Sequence, residues 1–594
     1  MTRAPARLPP YRRADLPVAA RVADLLSRMT VAEKAGLLFH AMIDIGEDGS
    51  LADADPALGL LSASDMVLHR SMNHFNLVGT APPGELARWH NRLQDLAGAT
   101  RLGIPVTLST DPRHGLSSNP LTSVLAGQFS HWPEPLGLAA TRDPGLVERF
   151  ARVAREEYRA VGIRLALHPQ LDLATEPRWP RIVGTFGEDA GLVAELGRAY
   201  IRGLQGRRLG PHSVATMAKH FPGGGPQKDG EDPHFPYGRE QVYPGDRFPY
   251  HLAPFLAAID AGTAQVMPYY GVPVGLPLDE VGFGFSREVL TGLLRERLGF
   301  DGVICTDWGL LTEIEYRGEV LPARAWGLER ADPSERILAA LHAGVDQFGG
   351  EAQPDLVIDL VRRGRLIEER LDRSAARLLR DKFVLGLFDG PYVDPDAAAT
   401  TVGRPDFRAE GRAAQRASVT LLRNASPASP ARLPLRPGVL IYVDGLPSDA
   451  VRPYALPVAD PADADVALLR LGAPHEPRPG AVESFFRAGS LAFAPDEVAR
   501  VRAIAGSVPT VVDVYLDRPA VLTEVDSAAD ALVVSFGVDD RPLLDVLFGF
   551  DEPRGRLPVD LPRSMAAVQT SRPDVPFDTR DPLYRYGHGL SYAD

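Results

Sequence analysis

Two rhythms of apolar residues alternate along the first two thirds of the chain. Stretches with apolar spacings of three and four predict helices, and each is followed by a short unbroken apolar run of the kind that makes a strand buried on both faces. Helix Gly84–Leu96 leads to strand Ile104–Leu108, Pro144–Ala160 to Ile163–Leu167, and Asp189–Leu204 to Ser213–Ala218. Tyr250–Ala261 leads to Ala264–Met267, Arg287–Leu298 to Val303–Cys305, and Pro333–His342 to Val345. Ahead of these, Ala19–Leu26 predicts a helix, and Thr30-Val-Ala-Glu33 has the spacing of a capping box opening another helix that runs toward Ile43. Repeated helix–strand units mean a parallel sheet, and this many predict a (β/α)8-type barrel over residues 1–389 rather than an open sheet.

Beyond Asp389 the rhythm stops. Residues 390–415, beginning Gly390-Pro-Tyr-Val-Asp-Pro, predict a linker over the surface. Residues 416–594 predict a smaller α/β sandwich domain, with strands Val439–Val443, Val466–Leu471, Thr510–Tyr515 and Ala531–Phe536 and a helix Asp496–Ala505. The tail after Gly555 has few helical signals and is expected to wrap back over a neighbour. At 594 residues the chain exceeds what one core supports, in keeping with two domains.

The net charge of -13 argues against a nucleic-acid backbone or an anionic membrane as main partner and favours a small neutral or cationic ligand. The single cysteine, Cys305, rules out an internal disulfide and a thiolate zinc cluster. No stretch of about twenty apolar residues occurs, and Met1–Val22 lacks the apolar core of a secretion signal, so a cytoplasmic location is expected.

Chemistry enters at the strand ends. Asp307 and Trp308 close the run Val303–Cys305; Asp111 closes the strand near Leu108. The strand after Leu165 runs into Glu176-Pro-Arg178-Trp-Pro-Arg181, the next ends in Lys219-His220, and Gln265-Val-Met267-Pro runs into Tyr269-Tyr270. In a parallel barrel all of these meet on one face. Each residue alone has a plainer explanation: Asp111 or Asp307 as helix cap, His220 as core histidine, Arg178 and Arg181 as surface ion pairs. Gathered on one face, they suit a polyhydroxylated ligand, with Trp308 or Trp179 over an apolar ring face and Asp307 able to attack an anomeric carbon. Gly223-Gly-Gly225 lacks the spacing of a nucleotide fingerprint.

These motifs resemble the family 3 glycoside hydrolases, especially the two-domain β-glucosidases. The resemblance rests on Pro177-Arg-Trp-Pro-Arg181 with Thr185-Phe-Gly-Glu-Asp189, on Lys219-His-Phe-Pro-Gly223, on Gly302-Val-Ile-Cys-Thr-Asp-Trp308, and on Gly555-Arg-Leu-Pro558 and Tyr586-Gly-His-Gly-Leu-Ser-Tyr592 in the tail. It implies retention of anomeric configuration through a covalent glycosyl-enzyme on Asp307. By position Asp111, Arg178, Arg181, Lys219 and His220, with Met267, Tyr270 and Trp308, are implied to bind the sugar. The proton donor is implied to be a glutamate on a loop of the second domain: Glu476 first, Glu483 in reserve. No metal or organic cofactor is implied.

A related β-N-acetylglucosaminidase branch takes its acid/base from a histidine in Gly-His-Gly followed by Asp-Ser-His. Here Gly224 fills the middle position, although Asp232-Pro-His234 echoes the second half. The same residues are also compatible with a β-xylosidase or with a non-catalytic sugar-binding protein. The expectation is an exo-acting β-glucosidase taking a small β-glycoside or oligosaccharide, without nucleic-acid or membrane partners; a homodimer is compatible with it.

Overall fold

A computed structural model describes residues 8–117, 119, 123–425 and 431–593. Its larger domain is built on eight parallel strands: β1 Phe39–Ile43, β2 His74–Leu77, β3 Thr107–Thr110, β4 Ile163–Ala166, β5 Ala215–Phe221, β6 Gln265–Pro268, β7 Val303–Ile304 and β8 Phe348–Gly349. The hydrogen-bonded order is β8-β1-β2-β3-β4-β5-β6-β7. Cys305 pairs in parallel with Gln347, the residue before β8, so the last strand meets the first and the sheet closes into a barrel.

In the barrel two strands, β1 and β2, lay outside the sequence expectation, and the strand expected at Val345 is instead Phe348–Gly349. Where a helix was expected to run to Ile43, the capping-box helix spans only Val31–Leu37, and the continuation is β1. Its residues are buried on nearly every position, and an apolar run buried on both faces does not reveal its period. In β2, His74 and Asn76 point polar side chains into the interior, which breaks up the apolar run.

The second domain carries a six-stranded sheet: β9 Thr420–Arg423, β10 Leu440–Asp444, β11 Leu456–Val458, β12 Val466–Gly472, β13 Thr510–Tyr515 and β14 Ala531–Ser535. The order is β9-β14-β13-β12-β10-β11, with β9 alone antiparallel to its neighbour. Residues 390–415 are not a bare linker. Helices Pro395–Thr401 and Pro405–Ser418 occupy most of the stretch and bury Ala398, Phe407 and Ala414.

Leu590 pairs with Leu421 beside β9, and Leu561 with Tyr584. The Asp574 carboxylate accepts hydrogen bonds from the backbone N–H of Gly245 and Arg247 in the barrel domain. Among the described residues no helix is long and apolar enough to cross a membrane.

Candidate active site

The carboxyl ends of the barrel strands bring Asp111, Arg181, Lys219, Met267, Tyr270, Asp307 and Trp308 to one cavity of about 370 Å3. Asp111 follows β3 directly and is held from two sides: Lys219 Nζ donates to Oδ1 at 2.9 Å and Asn76 Nδ2, from β2, to Oδ2 at 3.1 Å. A bulge in β5 sets the next pair. Lys219 pairs with Met267 and Phe221 with Pro268, so His220 is the extra residue; Lys219 lines the cavity while the His220 ring is buried below it.

His220 is the hub of a polar chain beneath the cavity. Its Nδ1–H donates to Asp172 Oδ2 at 2.6 Å, so Nε2 accepts from Arg181 Nη1 at 3.0 Å. That tautomer is neutral, and burial together with the Arg181 and Lys219 charges holds the imidazole well below its usual pKa. Burial lifts Asp172 to about 6 against the backbone N–H groups of Gly224 and His220 that it accepts. Burial also opposes the Arg181 charge, but Tyr269, Asp232, Asp307 and Asp172 around it raise its pKa overall.

Asp307 sits two residues past the Cys305 bridge that closes the barrel, and is 6% exposed. Its Oδ1 accepts from the Trp308 backbone N–H at 2.8 Å. Its Oδ2 is buried without a hydrogen-bond partner among the described residues, 3.7 Å from His220 Nε2. The Tyr270 hydroxyl donates to the Trp308 carbonyl at 2.6 Å. Burial and the neighbouring Asp307 carboxylate keep this phenol well above its usual pKa.

Three expected residues stand elsewhere. Arg178 is turned away from the cavity: its guanidinium forms a two-pronged pair with Glu176 at 2.8 and 2.9 Å, while its carbonyl accepts from Arg518 of the second domain. Trp179 is fully buried and donates to Asp232 Oδ2, so it covers no ligand. Glu476, the first choice as proton donor, pairs through its backbone with Ala488, and its exposed carboxylate folds back against Gly489, outside the cavity.

Glu483 lies closer to the mouth. Its neighbour Val482 lines the cavity, and its Oε1 accepts from Tyr237 of the barrel domain at 2.7 Å. The loop is seated by Val482 and Phe486, buried with Phe235 and Leu321. Sequence reasoning gave no role to Asn76, Asp172 or Arg518, or to His234 in this chain. His234 lines the cavity, donates through Nδ1 to Asp232 Oδ1 at 2.6 Å, and packs between Tyr270 and Phe486. The motif Asp232-Pro-His234 was its signal. Asp232 is held at about 2, because His234 and Arg181 outweigh its burial.

Two models of known families match this chain: the glycosyl hydrolase family 3 N-terminal domain over residues 80–380 and the C-terminal domain over residues 334–592. The chain belongs to glycosyl hydrolase family 3. Among family 3 relatives, a probable β-glucosidase C of Aspergillus flavus is 51% identical, with 99% of this chain and 92% of its own covered. A periplasmic β-glucosidase/β-xylosidase of Dickeya chrysanthemi is 43% identical over 99% of this chain and 92% of its own. A solved β-glucosidase from Erythrobacter marinus shares the fold with a TM-score of 0.79 at 24% identity, over 98% of this chain and 84% of that one. The β-glucosidase of Listeria innocua solved with isofagomine matches at 0.74 and 23% identity, over 96% and 83%. As a family 3 member the chain is a glycoside hydrolase.

Proposed function

We propose that this family 3 hydrolase is a retaining exo-β-glucosidase with Asp307 as its nucleophile. The observation that carries the reading is the Asp307 carboxylate itself. It stands at the cavity floor with one oxygen held by a backbone N–H and the other buried with no hydrogen-bond partner among the described residues. Leaving a buried carboxylate oxygen unsatisfied is costly, and such a cost is expected where the atom is kept for a reaction. The relatives named β-glucosidase support glucose as the sugar.

In this reading the terminal ring lies on the floor, its hydroxyls shared among Asp111, Lys219 and Arg181. Asp307 Oδ2 attacks the anomeric carbon while a proton passes to the departing oxygen. The group that gave the proton then takes one from water, which releases the sugar with its configuration retained. Glu483 is the donor of choice, because its loop reaches the mouth beside Tyr237. A second reading, the His234–Asp232 pair, is favoured by one specific observation: that imidazole lines the cavity itself.

The β-N-acetylglucosaminidase reading loses support at Gly224. A Cβ there would lie 3.0 Å from both Asp172 Oδ1 and Tyr269 Cε1, tighter than ordinary contact, so the histidine of that branch would require both neighbours to shift.

A panel of nitrophenyl glycosides tests the whole scheme. Asp307→Gly is expected to reduce turnover to background. Removing the true donor, by Glu483→Gln or His234→Asn, should cost roughly a hundred- to ten-thousand-fold on poor leaving groups. The same variant should spare a dinitrophenyl glucoside and yield a glucosyl azide of retained configuration with azide. An α-configured first product, or full activity of Asp307→Gly, would end the proposal.

A further inference from the structure

The cavity around Asp307 divides into two chemistries. Its floor carries Asp111, Arg181, Lys219 and Asp307. Above it stands a collar of apolar side chains from three separate segments: Leu58 and Leu60 from the loop after β1, Ile314, Tyr316 and Leu321 from a hairpin after β7, and Val482 from the second domain. Leu60, Leu321 and Val482 are buried, while Leu58, Ile314 and Tyr316 are half-buried and so keep surface for a ligand.

The collar is one built object. The hairpin strands Ile314–Tyr316 and Glu319–Leu321 pair antiparallel. The Arg317 backbone N–H donates to the Ala57 carbonyl at 2.7 Å, fastening the hairpin to the first loop. The Ala481 N–H donates to Glu319 Oε2 at 2.8 Å, fastening it to the second domain. Among the described residues the other polar side chains lining the cavity are Asn76, His234 and Arg324, already bonded to Asp111, to Asp232 and to the His234 and Trp308 carbonyls, and Thr80, Ser123 and Arg317, with the Arg317 guanidinium lying 5.4 Å over the Tyr316 ring.

Resting on the reading of an exo-acting β-glucosidase, we infer that this collar is an aglycone site made for an apolar group, aryl or alkyl, rather than for a second sugar. The terminal ring takes the polar floor, so whatever is bonded to its anomeric carbon must extend into the collar. A sugar there would set hydroxyls against six apolar side chains with few partners, which is unfavourable. An alkyl or aromatic aglycone would instead remove apolar surface from water on both sides.

An alkyl series isolates this effect, because straight-chain alcohols are nearly equal as leaving groups. For the full-length enzyme kcat/KM is measured on methyl, butyl, hexyl and octyl β-glucosides and on cellobiose and laminaribiose. It is expected to rise at least about ten-fold from methyl to octyl, with octyl ahead of both disaccharides. In Ile314→Asn and Leu60→Asn the octyl-to-methyl ratio should fall toward one, whereas loss of folded protein would lower both substrates equally. A flat series, or disaccharides preferred over octyl glucoside, overturns the inference while leaving the glucosidase reading intact. Failure to hydrolyse any of these glucosides would instead refute that underlying reading.

Discussion

Asp172 and His220 show how a group that need not touch the ligand can govern the site. The carboxylate accepts from the His220 ring through Oδ2 and from the His220 and Gly224 N–H groups through Oδ1, and a carboxyl protonated on Oδ2 no longer accepts from the ring N–H. With Asp172 at about 6, kcat/KM should fall on the acid side of about pH 6, where it gains its proton. Below that pH the imidazole loses its orienting partner, and Arg181 loses its seat on Nε2. Asp172→Asn is expected to lower activity roughly ten- to a hundred-fold, the scale of removing an outer partner that orients an imidazole. It should also erase the acid limb. A pH–rate profile of the variant that keeps a limb at the same place would assign it to another group.

At the scale of elements, the mouth depends on the loop between β12 and the helix Pro495–Ala505, which crosses from one domain to the other. Arg518, 1% exposed, bonds the carbonyls of Pro474 and Ala488 on that loop and of Arg178 on the barrel. Phe486 packs against Phe235 and His234 at 5.4 and 5.0 Å. Phe486→Ala should release the loop at a cost of about 3 kcal/mol, quickening amide exchange over residues 476–489 by about a hundred-fold and lowering kcat/KM. Unchanged exchange there would mean that Arg518 holds the loop without the ring.

This loop also marks where legibility in the sequence ends. Asp111, Lys219, His220 and Asp307 were readable because parallel strand ends must converge, whatever the details of packing. Arg178 was not, since spacing alone does not tell that Glu176 captures its guanidinium. Nor does any local pattern announce that distant Arg518 bonds the Pro474 and Ala488 carbonyls of the loop that carries Glu476 and Glu483. Strands β9 and β11, short and at the edges of their sheet, were likewise invisible to an apolar-run criterion.

The whole molecule is tied together at Glu188. Its carboxylate accepts from the backbone N–H of Asp560 at 2.6 Å and of Phe577 at 2.7 Å, clamping the tail to the barrel. Burial and the nearby Asp560 charge raise it to about 8 from the ordinary 4.5. The folded state therefore holds this proton where the unfolded chain has lost it. Its share of stability is whole below about pH 4.5, declines as pH rises, and is gone above about 8. Asp172 and Asp513, each lifted to about 6 by burial, act in the same direction. Urea midpoints should thus fall from pH 5 to pH 8 by the equivalent of a few kcal/mol, each pKa unit being worth about 1.4. Glu188→Gln should flatten that slope; an equal slope in the variant would place its origin elsewhere.

The Asp574 clamp on Gly245 and Arg247 has a further consequence for how the protein is made. During synthesis the barrel emerges first, yet the N–H groups at the head of its helix Phe248–Asp260 wait for a partner encoded more than three hundred residues later. Leu590, which pairs with Leu421, arrives later still. A nascent chain stalled before these residues clear the ribosome would hold an unfinished barrel, and the ability to cleave a glycoside should appear only once they have emerged.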